Sequence, residues 1–497
     1  MFGHKKAQTI TMNTEKNINR RHVVILGSGF AGIEILKRLQ RKFRNTKDID
    51  ITLVSRDNFL LFTPMLPEVS TGMIETRHIV TPVRSFINKA RYYEANVESI
   101  DLNNKRIVIT HPIGRQFQPI AWDKHTLECD YLVIALGSET NFFGMDDVKK
   151  NCFTMKDIDD AIILRNHILS ILEQASIEQD NKDLRKSLLT FVVVGGGFNG
   201  IETVGALNDF VRETVREFYK DIYMTDVRIM LVNSEDRILE QVDEDLGKWA
   251  LLKLKDNGVE FIMNTQVIGA TPTTAKLDNG NIINTHTIIW STGVTPSKLI
   301  ANLPCEHDKG HRIISNSYLE IVGYPGIYAL GDCASITDPN TGKPYPPTAQ
   351  HAIRQGNVAA KNIISSIKGT EARGGGEEEE ENDRKKKNKK KFVYKTKGMM
   401  AEIGKRSGVA TLFGFKVHGF AAWWLWRTFY LTNLPTKQKK LKVMVDWTMD
   451  LLFKPDVAMI KRFVNEKEKE KENNENLEEY NHNIRKDNKD SIKKIRS

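Results

Sequence analysis

Cysteines and long hydrophobic runs are scarce in this sequence of 497 residues. The four cysteines, Cys129, Cys152, Cys305 and Cys333, stand far apart and form no CxxC pair. This spacing excludes a disulfide scaffold, a cysteine-ligated metal centre and a thioredoxin-reductase-type dithiol, and we expect no metal site. The sequence also lacks a run of about 18 or more uncharged apolar residues, which a membrane-spanning helix needs.

The start of the chain lacks the apolar core and the small-residue cleavage site of a signal peptide, so we interpret residues 1–20 as a flexible leader. Hydrophobic residues make up 40% of the chain, which excludes wholesale disorder. The net charge of +10 suits an anionic membrane surface or a nucleic acid. We expect no nucleic-acid partner, because the basic run at residues 384–391 lies beside five glutamates and contains no aromatic residue.

A strand, a glycine-rich turn and a helix follow one another twice. An apolar run at residues 22–26 precedes GSGFAG at residues 27–32, and another at residues 191–194 precedes GGGFNG at residues 195–200. Such glycines allow a tight turn, the approach of a pyrophosphate and close packing of the helix. The motifs begin 168 positions apart, too far for a solenoid repeat. They predict an α/β protein with two Rossmann-like dinucleotide-binding domains, one for FAD and one for NAD(P)H.

This pattern divides the chain into segments. The predicted segments are an FAD-binding domain at residues 21–150 and 286–367, an NAD(P)H-binding domain at residues 151–285, a disordered charged insertion at residues 368–397, a C-terminal membrane-associating helical region at residues 398–464 and a charged tail at residues 465–497. The insertion contains three consecutive glycines, five consecutive glutamates and a lysine-rich run, a composition that cannot bury a core.

The acidic residue that normally ends the second strand of such a domain is missing in both halves. Ser55 occupies this position in the first half and Asn233 in the second. A carboxylate there accepts a hydrogen bond from the ribose of NADH and repels the 2′-phosphate of NADPH. Asn233 therefore predicts that NADPH is used beside NADH, with Ser234 and Arg237 placed to receive the phosphate.

Longer motifs carry a family resemblance. They are VVILGSGFAG, NFLLFTPMLPEVSTG, YLVIALGSETNFFGM, VVVGGGFNGIE, IIWSTGV, IYALGDCA, PPTAQHAIRQG and the C-terminal block from KGMMAEIG onward. In these motifs the sequence resembles the type II NADH dehydrogenases, single-chain NADH:quinone oxidoreductases that do not pump protons. The resemblance implies one non-covalent FAD, NADH and also NADPH as electron donors, and a membrane quinone as acceptor.

The resemblance also implies the site residues. Glu202 matches a glutamate that relays protons near the nicotinamide and the quinone, with a role in complementing the helix dipole as the alternative. Gln350 matches the quinone-binding glutamine of the motif AQxAxQxG, whereas Arg354 stands where the family has a second glutamine. Asp332 is expected at the ribityl chain, with a helix N-cap as the alternative. The residues expected to contact the ligands are Gly27, Gly29, Phe30, Ala31, Gly32, Ser55, Thr63, Val97, Leu136, Gly137, Gly195, Gly197, Gly200, Glu202, Asn233, Gly293, Asp332, Ala349 and Gln350.

A sulfide:quinone oxidoreductase is the alternative function, because it shares the fold, the FAD and the membrane surface. Such an enzyme needs two redox cysteines beside the flavin, for which Cys152 and Cys333 are the candidates. Cys152 has no CxxC partner, and most buried single cysteines are inert. We therefore favour the NADH:quinone oxidoreductase.

The C-terminal block predicts membrane association. It contains four of the seven tryptophans, Trp423, Trp424, Trp426 and Trp447, and lysines at positions 437, 439, 440 and 442. Tryptophans favour the headgroup region of a bilayer, and lysines favour anionic lipids. We expect a peripheral homodimer bound to an anionic lipid surface on the cytoplasmic face of the cell membrane. The alternative is that these aromatic side chains close the core of the flavin domain or form a dimer interface.

Overall fold

The computed structural model describes residues 20–115, 118–371, 389–396 and 398–459. The predicted leader up to residue 19, residues 372–388 of the insertion and the charged tail lie outside the described residues. The chain divides into two units, Met1–Pro455 and Asp456–Ser497, and every feature below belongs to the first unit.

The first sheet has five parallel strands. Its strands, in spatial order, are Ile327–Ala329, Tyr131–Ile134, Arg21–Leu26, Ile49–Ser55 and Arg91–Glu94. The central strand is apolar, and its last four residues are fully buried, as expected where both faces of a parallel sheet are covered. Two helices of this half, Phe30–Lys42 and Ala349–Glu371, pack against each other.

The second sheet also has five parallel strands. Its strands, in spatial order, are Phe153–Thr154, Thr287–Trp290, Thr190–Val194, Arg228–Val232 and Val259–Ile262. Thr287–Trp290 is buried and pairs with Thr190–Val194, so it belongs to this sheet. The predicted boundary between residues 285 and 286 had assigned this strand to the FAD-binding domain. The chain returns to the first sheet only at Ile327–Ala329.

Smaller sheets and further helices complete the fold. The antiparallel sheets are Asn96–Asp101 with Arg106–Arg115 and Gln118–Glu128, Val267–Thr271 with Thr274–Leu277 and Ile282–Asn284, Phe59–Leu61 with Val80–Pro82, and Glu139–Thr140 with Val294–Thr295; Ile313–Ser315 and Ala334–Ile336 pair in parallel. The other helices of the two dinucleotide-binding halves are Leu66–Ser70, Asp146–Asn151, Ile158–Ile177, Lys182–Leu188, Phe198–Phe218, Glu244–Asp256 and Lys298–Ala301. Short 3₁₀ turns occur at Thr63–Met65, Thr76–His78, Val83–Phe86, Met224–Asp226 and Gly331–Cys333.

Both described parts of the predicted charged insertion, residues 368–371 and 389–396, are structured. The helix Ala349–Glu371 extends past residue 367, and residues 389–396 pack on the first half of the molecule. Phe392 is buried in the core of the first sheet, and Lys389 Nζ lies 2.8 Å from both carboxylate oxygens of Glu320. The compositional bias of the neighbouring run concealed this ordered apolar anchor in the sequence.

The C-terminal region is a sheet with two helices, not helices alone. The antiparallel strands Gly398–Glu402, Gly408–Leu412 and Phe415–Gly419 precede the helices Phe420–Asn433 and Lys437–Leu452. The sheet packs closely on helix Phe198–Phe218. The approach is so close that a Cβ added to Gly205 of this helix would lie 2.8 Å from the Gly404 nitrogen. Among the described residues, none of the helices is long and apolar enough to cross a membrane.

Candidate active site

The first glycine motif forms the turn between strand Arg21–Leu26 and helix Phe30–Lys42. Gly27 has a φ of +102°, and a Cβ added to Gly32 would lie 1.9 Å from the Gly27 carbonyl oxygen. Neither position therefore accepts a side chain. A Cβ added to Gly29 would meet nothing within 4 Å, so this side of the turn is open to a ligand. The residues fit the pyrophosphate of FAD, as predicted for this motif.

The start of the helix supports the same assignment. Phe30 and Ala31 begin it, and its first turn contains no acidic residue that would oppose a phosphate. The Phe30 ring packs edge-on against Phe62 with 5.8 Å between the ring centroids. Phe62 in turn contacts Tyr430 at 6.0 Å, which links the flavin motif to the C-terminal region.

Other predicted FAD contacts lie at the carboxyl edge of the first sheet. Ser55 ends its strand, and its hydroxyl is 2.7 Å from the hydroxyl of Ser28 in the glycine motif. Leu136 and Gly137 follow strand Tyr131–Ile134, and Gly137 has a φ of +71°. Because parallel strands end at the same edge, these residues surround the first glycine turn.

The three remaining predicted FAD contacts are Asp332, which follows strand Ile327–Ala329 at the same edge of the sheet, Thr63 and Val97. Asp332 lies in the 3₁₀ turn Gly331–Cys333, and its Oδ2 accepts a hydrogen bond of 3.0 Å from the Ser138 hydroxyl. Thr63 begins the 3₁₀ turn Thr63–Met65 and is exposed. Val97 is half-buried against the core of the first sheet. The contacts of these three residues with FAD remain predictions.

The second glycine motif repeats the geometry of the first. Gly195 has a φ of +110°, and a Cβ on Gly200 would lie 1.9 Å from the Gly195 carbonyl oxygen. A Cβ on Gly197 would meet nothing within 4 Å, and helix Phe198–Phe218 has no acidic residue in its first turn. Gly293, which follows the neighbouring strand, has a φ of +73°. This second open turn fits the pyrophosphate of a nicotinamide dinucleotide.

Asn233 is turned toward the protein backbone. Its Oδ1 accepts a hydrogen bond of 2.8 Å from the Gly196 amide, and its Nδ2 donates to the carbonyl oxygens of Glu235 and Arg237 at 3.2 and 3.0 Å. The amide therefore fixes the loop after the strand and has little capacity left for a ribose. Arg237 is also engaged, because its Nη2 donates to the carbonyl oxygens of Glu240 and Val242.

The predicted quinone-binding residues lie at the start of helix Ala349–Glu371. Arg354 Nη1 donates to the Gln350 carbonyl oxygen at 2.9 Å, and the guanidinium lies 4.2 Å from the ring centre of Tyr394. The Tyr394 hydroxyl donates to Gln350 Oε1 at 3.4 Å. Ala349 begins the helix. Tyr394, which the sequence analysis had assigned to the disordered insertion, therefore belongs to this group.

Glu202 lies in a different group, formed with the C-terminal region. Three glutamates, Glu68, Glu202 and Glu402, are here named the carboxyl cluster, and each accepts a hydrogen bond from a tryptophan indole. The donors and distances are Trp447 to Glu68 at 2.9 Å, Trp426 to Glu202 at 2.9 Å and Trp423 to Glu402 at 2.7 Å. The Glu402 amide also donates to Glu202 Oε1 at 3.3 Å.

Arg427 contributes the positive charge of this cluster. Its guanidinium lies 4.2 Å from the Trp423 ring centre and 4.6 Å from that of Trp447. Its Nη2 is 3.5 Å from Glu68 Oε1, and both side chains are buried. One guanidinium cannot balance three buried carboxylates, so the arrangement favours retained protons.

The pKa values follow from this burial. Glu202 is half-buried as a whole residue, but its carboxyl group is enclosed. Desolvation therefore raises the pKa of Glu202 to about 8, although the hydrogen bond from Trp426 lowers it. Burial raises the pKa of Glu68 to about 7, although Arg427 lowers it. The pKa of Glu402 lies well above its usual range because of burial and the charge of Glu68. The cluster therefore holds protons near neutral pH.

The cysteines do not form a redox pair of the sulfide:quinone oxidoreductase type. All four are free thiols. Burial raises the pKa of Cys333 to about 11 and that of Cys152 to about 12, so neither is a ready thiolate. Cys333 Sγ instead contacts the carbonyl oxygens of Leu330 and Ile134.

Glu68, Glu402 and Arg427 were not predicted from the sequence. The signal that could have found them is a charged residue within an apolar or aromatic run, since Arg427 follows three tryptophans and Glu68 lies in the run PMLPEV. The structure differs from the sequence analysis for the tryptophans as well. Trp423, Trp426 and Trp447 are buried and their indoles donate to carboxylates, whereas Trp424 is exposed.

Comparisons with known proteins agree with this architecture. A family model described as pyridine nucleotide-disulphide oxidoreductase matches residues 21–356, and one described as NDH2 C-terminal domain matches residues 396–456. The NDH2 structure from Plasmodium falciparum in complex with NADH has a TM-score of 0.77 at 21% identity, covering 88% of this chain and 100% of that one. The sulfide:quinone oxidoreductase of Aquifex aeolicus has a lower TM-score of 0.60.

Curated relatives match over most of their length. A probable NADH dehydrogenase of Dictyostelium discoideum is 32% identical over 89% of this chain and 92% of that protein. The type II NADH:quinone oxidoreductase of Mycobacterium tuberculosis is 32% identical over 87% of this chain and 89% of that protein. These matches confirm the predicted family and the predicted two-dinucleotide α/β fold. The chain belongs to the type II NADH dehydrogenases.

Proposed function

We propose that this chain transfers electrons from NADH through FAD to a membrane quinone without pumping protons. The observation that carries the proposal is the contact between the nicotinamide-motif helix and the C-terminal region, where Trp426 holds Glu202. The relatives named as NADH dehydrogenase and NADH:quinone oxidoreductase support NADH as the donor and a quinone as the acceptor.

The two open glycine turns would hold the two dinucleotides. When bound, FAD supplies the two-electron chemistry, since it accepts a hydride from NADH and gives electrons to a quinone. Gly27, Gly29 and Gly32 form the turn for FAD, and Gly195, Gly197 and Gly200 form the turn for NADH. Gln350 and Arg354 are the proposed contacts of the quinone head group.

The carboxyl cluster supplies the proton that the electrons require. A quinone takes up two electrons and two protons to become a quinol, and the hydride of NADH accounts for one of those protons. Glu202 Oε1 accepts the N–H groups of Trp426 and Glu402, which leaves Oε2 to carry a proton. Because its pKa is raised to about 8, Glu202 retains that proton at neutral pH and is suited to release it to an acceptor.

Anaerobic addition of electron donors to the purified protein tests this function. We expect NADH to bleach the flavin absorption band and a short-chain quinone to restore it. Sulfide should have no effect on the band. Bleaching by sulfide in place of NADH would contradict the proposal and favour the sulfide:quinone oxidoreductase.

The coenzyme preference is proposed to depend on Glu235. Asn233 and Arg237 are occupied by backbone groups, whereas Glu235 is exposed on the same loop and accepts from the Ser234 hydroxyl at 3.4 Å. A carboxylate at this place repels the 2′-phosphate of NADPH. We therefore propose that NADH is the better donor and that NADPH is also used.

Replacing Glu235 by glutamine is expected to favour NADPH. Loss of the negative charge should raise the ratio of kcat/KM for NADPH to that for NADH by about tenfold. Steady-state rates with both coenzymes provide the measurement. Glu240→Gln, which removes another exposed carboxylate of the same loop, is the control and should leave the ratio unchanged. An unaltered ratio in the Glu235 variant would exclude this residue from coenzyme selection.

Exposed apolar side chains of the C-terminal helices form the proposed membrane surface. They are Phe420, Trp424, Phe429, Leu441, Met444, Val445, Met449, Leu451, Leu452 and Phe453. Lys437 and Lys442 are exposed beside them, whereas Lys439 and Lys440 donate to carbonyl oxygens. Apolar side chains with exposed lysines suit one leaflet of an anionic bilayer.

Replacing Leu441, Val445 and Leu452 together by serine should weaken binding to anionic liposomes by at least about tenfold. Each replacement removes roughly 1 kcal/mol of apolar burial in the bilayer. Co-sedimentation is the measurement, and FAD content should stay unchanged because these side chains are exposed. Serine replacements of Ile177, Tyr223 and Ile282, three exposed residues of the dinucleotide-binding halves, are the control. Equal sedimentation of both variants would contradict the assigned surface.

The location on the cytoplasmic face of the cell membrane and the homodimer remain predictions. Fractionation of cells that express the full chain tests the location. Light scattering of the purified flavoprotein tests the homodimer, with a particle of twice the 56.7 kDa chain mass as the expected result.

A further inference from the structure

Two histidines and an aspartate meet on the antiparallel hairpin Arg106–Arg115 and Gln118–Glu128. His111 lies directly opposite Asp123 in the strand register. His125 follows Asp123 by two residues, and residues two apart in a strand point to the same face. The three side chains therefore share one face of the hairpin, away from both glycine turns in the sequence.

The distances between their ligand atoms are those of a metal site. His111 Nε2 is 3.2 Å from His125 Nε2, which is 3.4 Å from Asp123 Oδ2. All three atoms lie within 4.8 Å of one another. In a tetrahedral zinc site with bonds of about 2.0 Å, two ligand atoms stand about 3.3 Å apart. One ion can therefore reach all three atoms with little movement of the side chains.

Neighbouring groups orient these ligands. His111 Nδ1 lies 3.3 Å from the Pro112 carbonyl oxygen, and donation to this oxygen leaves the Nε2 lone pair free for a metal. The Lys124 amide donates to Asp123 Oδ1 at 2.9 Å, which leaves Oδ2 toward the histidines. His125 is 7% exposed, and its Nδ1 is buried without a partner, so Nε2 is its available ligand atom.

We propose that His111, Asp123 and His125 bind one divalent transition-metal ion of the zinc class. Imidazole nitrogens select zinc, copper or nickel over magnesium and calcium, which prefer oxygen ligands. Three protein ligands leave a fourth position for water. The ion joins the two strands of the hairpin, and none of its three ligands belongs to the residues proposed for the NADH:quinone reaction.

Metal titration of the full-length flavoprotein tests this site. After treatment with a chelator and dialysis, the protein is titrated with Zn²⁺ by calorimetry and with Co²⁺ by absorption beyond the flavin bands. We expect one high-affinity site per chain and the visible bands of tetrahedral Co²⁺. Absence of both signals would overturn the proposal and leave a hydrogen bond between the two imidazoles.

Two variants assign the ligands. Asp123→Asn, at a half-buried position, keeps the side-chain shape and is expected to weaken Zn²⁺ binding by about 10-fold to 100-fold. His125→Gln is expected to abolish the Co²⁺ bands. His418→Gln, a change at an exposed histidine of the C-terminal sheet, is the control and should bind like the parent. Binding that is unchanged in Asp123→Asn would overturn the proposal even if the His125 variant fails to fold.

Discussion

Replacing Glu202 by glutamine is expected to slow quinone reduction by about 100-fold to 10,000-fold, the usual effect of removing an essential acid–base group. The amide retains an oxygen that accepts the hydrogen bond from Trp426, but it cannot release a proton. Stopped-flow spectroscopy separates the two half-reactions. Flavin bleaching by NADH should keep its rate, whereas reoxidation by quinone should be slow.

Glu217→Gln is the matched control for this experiment. Glu217 lies on the same helix as Glu202, but it is paired with Lys454 at the surface. Its replacement should leave both half-reactions unchanged. Wild-type reoxidation in Glu202→Gln between pH 6 and 8 would remove Glu202 from the proton path.

The raised pKa of Glu202 also has a consequence for stability. The folded protein holds this proton up to a pKa of about 8, whereas the unfolded chain releases it near the ordinary value of 4.5. The contribution to stability is therefore complete below pH 4.5 and is lost as the pH rises toward 8. The glutamine variant should lose less stability across this interval, as measured by apparent melting temperature.

The dinucleotide-binding framework was predictable because its signals are local. Each glycine motif follows a buried strand directly, and backbone contacts within a few residues fix Gly27 against Gly32 and Gly195 against Gly200. The strand Thr287–Trp290 was assigned to the wrong half because its signal is not local. Its partner in the sheet lies about a hundred residues earlier, and a short apolar run does not reveal which strand it joins.

Glu68, Glu402 and Arg427 were not predictable because their partners in the fold are also distant in the sequence. The indole of Trp447 donates to Glu68, and that of Trp426 donates to Glu202, across 379 and 224 residues of chain. A tryptophan suits a bilayer interface and a buried hydrogen bond equally well, since it combines a large apolar ring with one donor. The position of the aromatic helix was therefore predictable from the sequence. Only the folded structure shows that Trp423 is buried and Trp424 is exposed.

Arg427 is the residue on which the stability of this cluster depends. Its side chain is nearly inaccessible, and it contacts Glu68 between the rings of Trp423 and Trp447. Removal of one partner from a buried ion pair leaves the other charge without compensation, which typically costs about 3–5 kcal/mol. The carboxyl groups can reduce this cost by taking up protons when the pH is low enough.

Arg427→Met should therefore destabilise the protein strongly, and more so at pH 8 than at pH 6. Arg427 lowers the pKa values of Glu68 and Glu402, so its removal raises both, and the loss of stability grows as the pH rises past the Glu68 pKa of about 7. Urea unfolding, followed by the release of FAD fluorescence, measures the loss at each pH. Arg106→Met, which removes an exposed ion pair with Glu128, should cost less than about 1 kcal/mol. Adding Glu68→Gln to Arg427→Met should recover part of the loss at pH 8, because the carboxylate left unpaired is then absent. An equal loss at both pH values, with no recovery in the double variant, would mean that Arg427 acts by packing between the tryptophans and not by its charge.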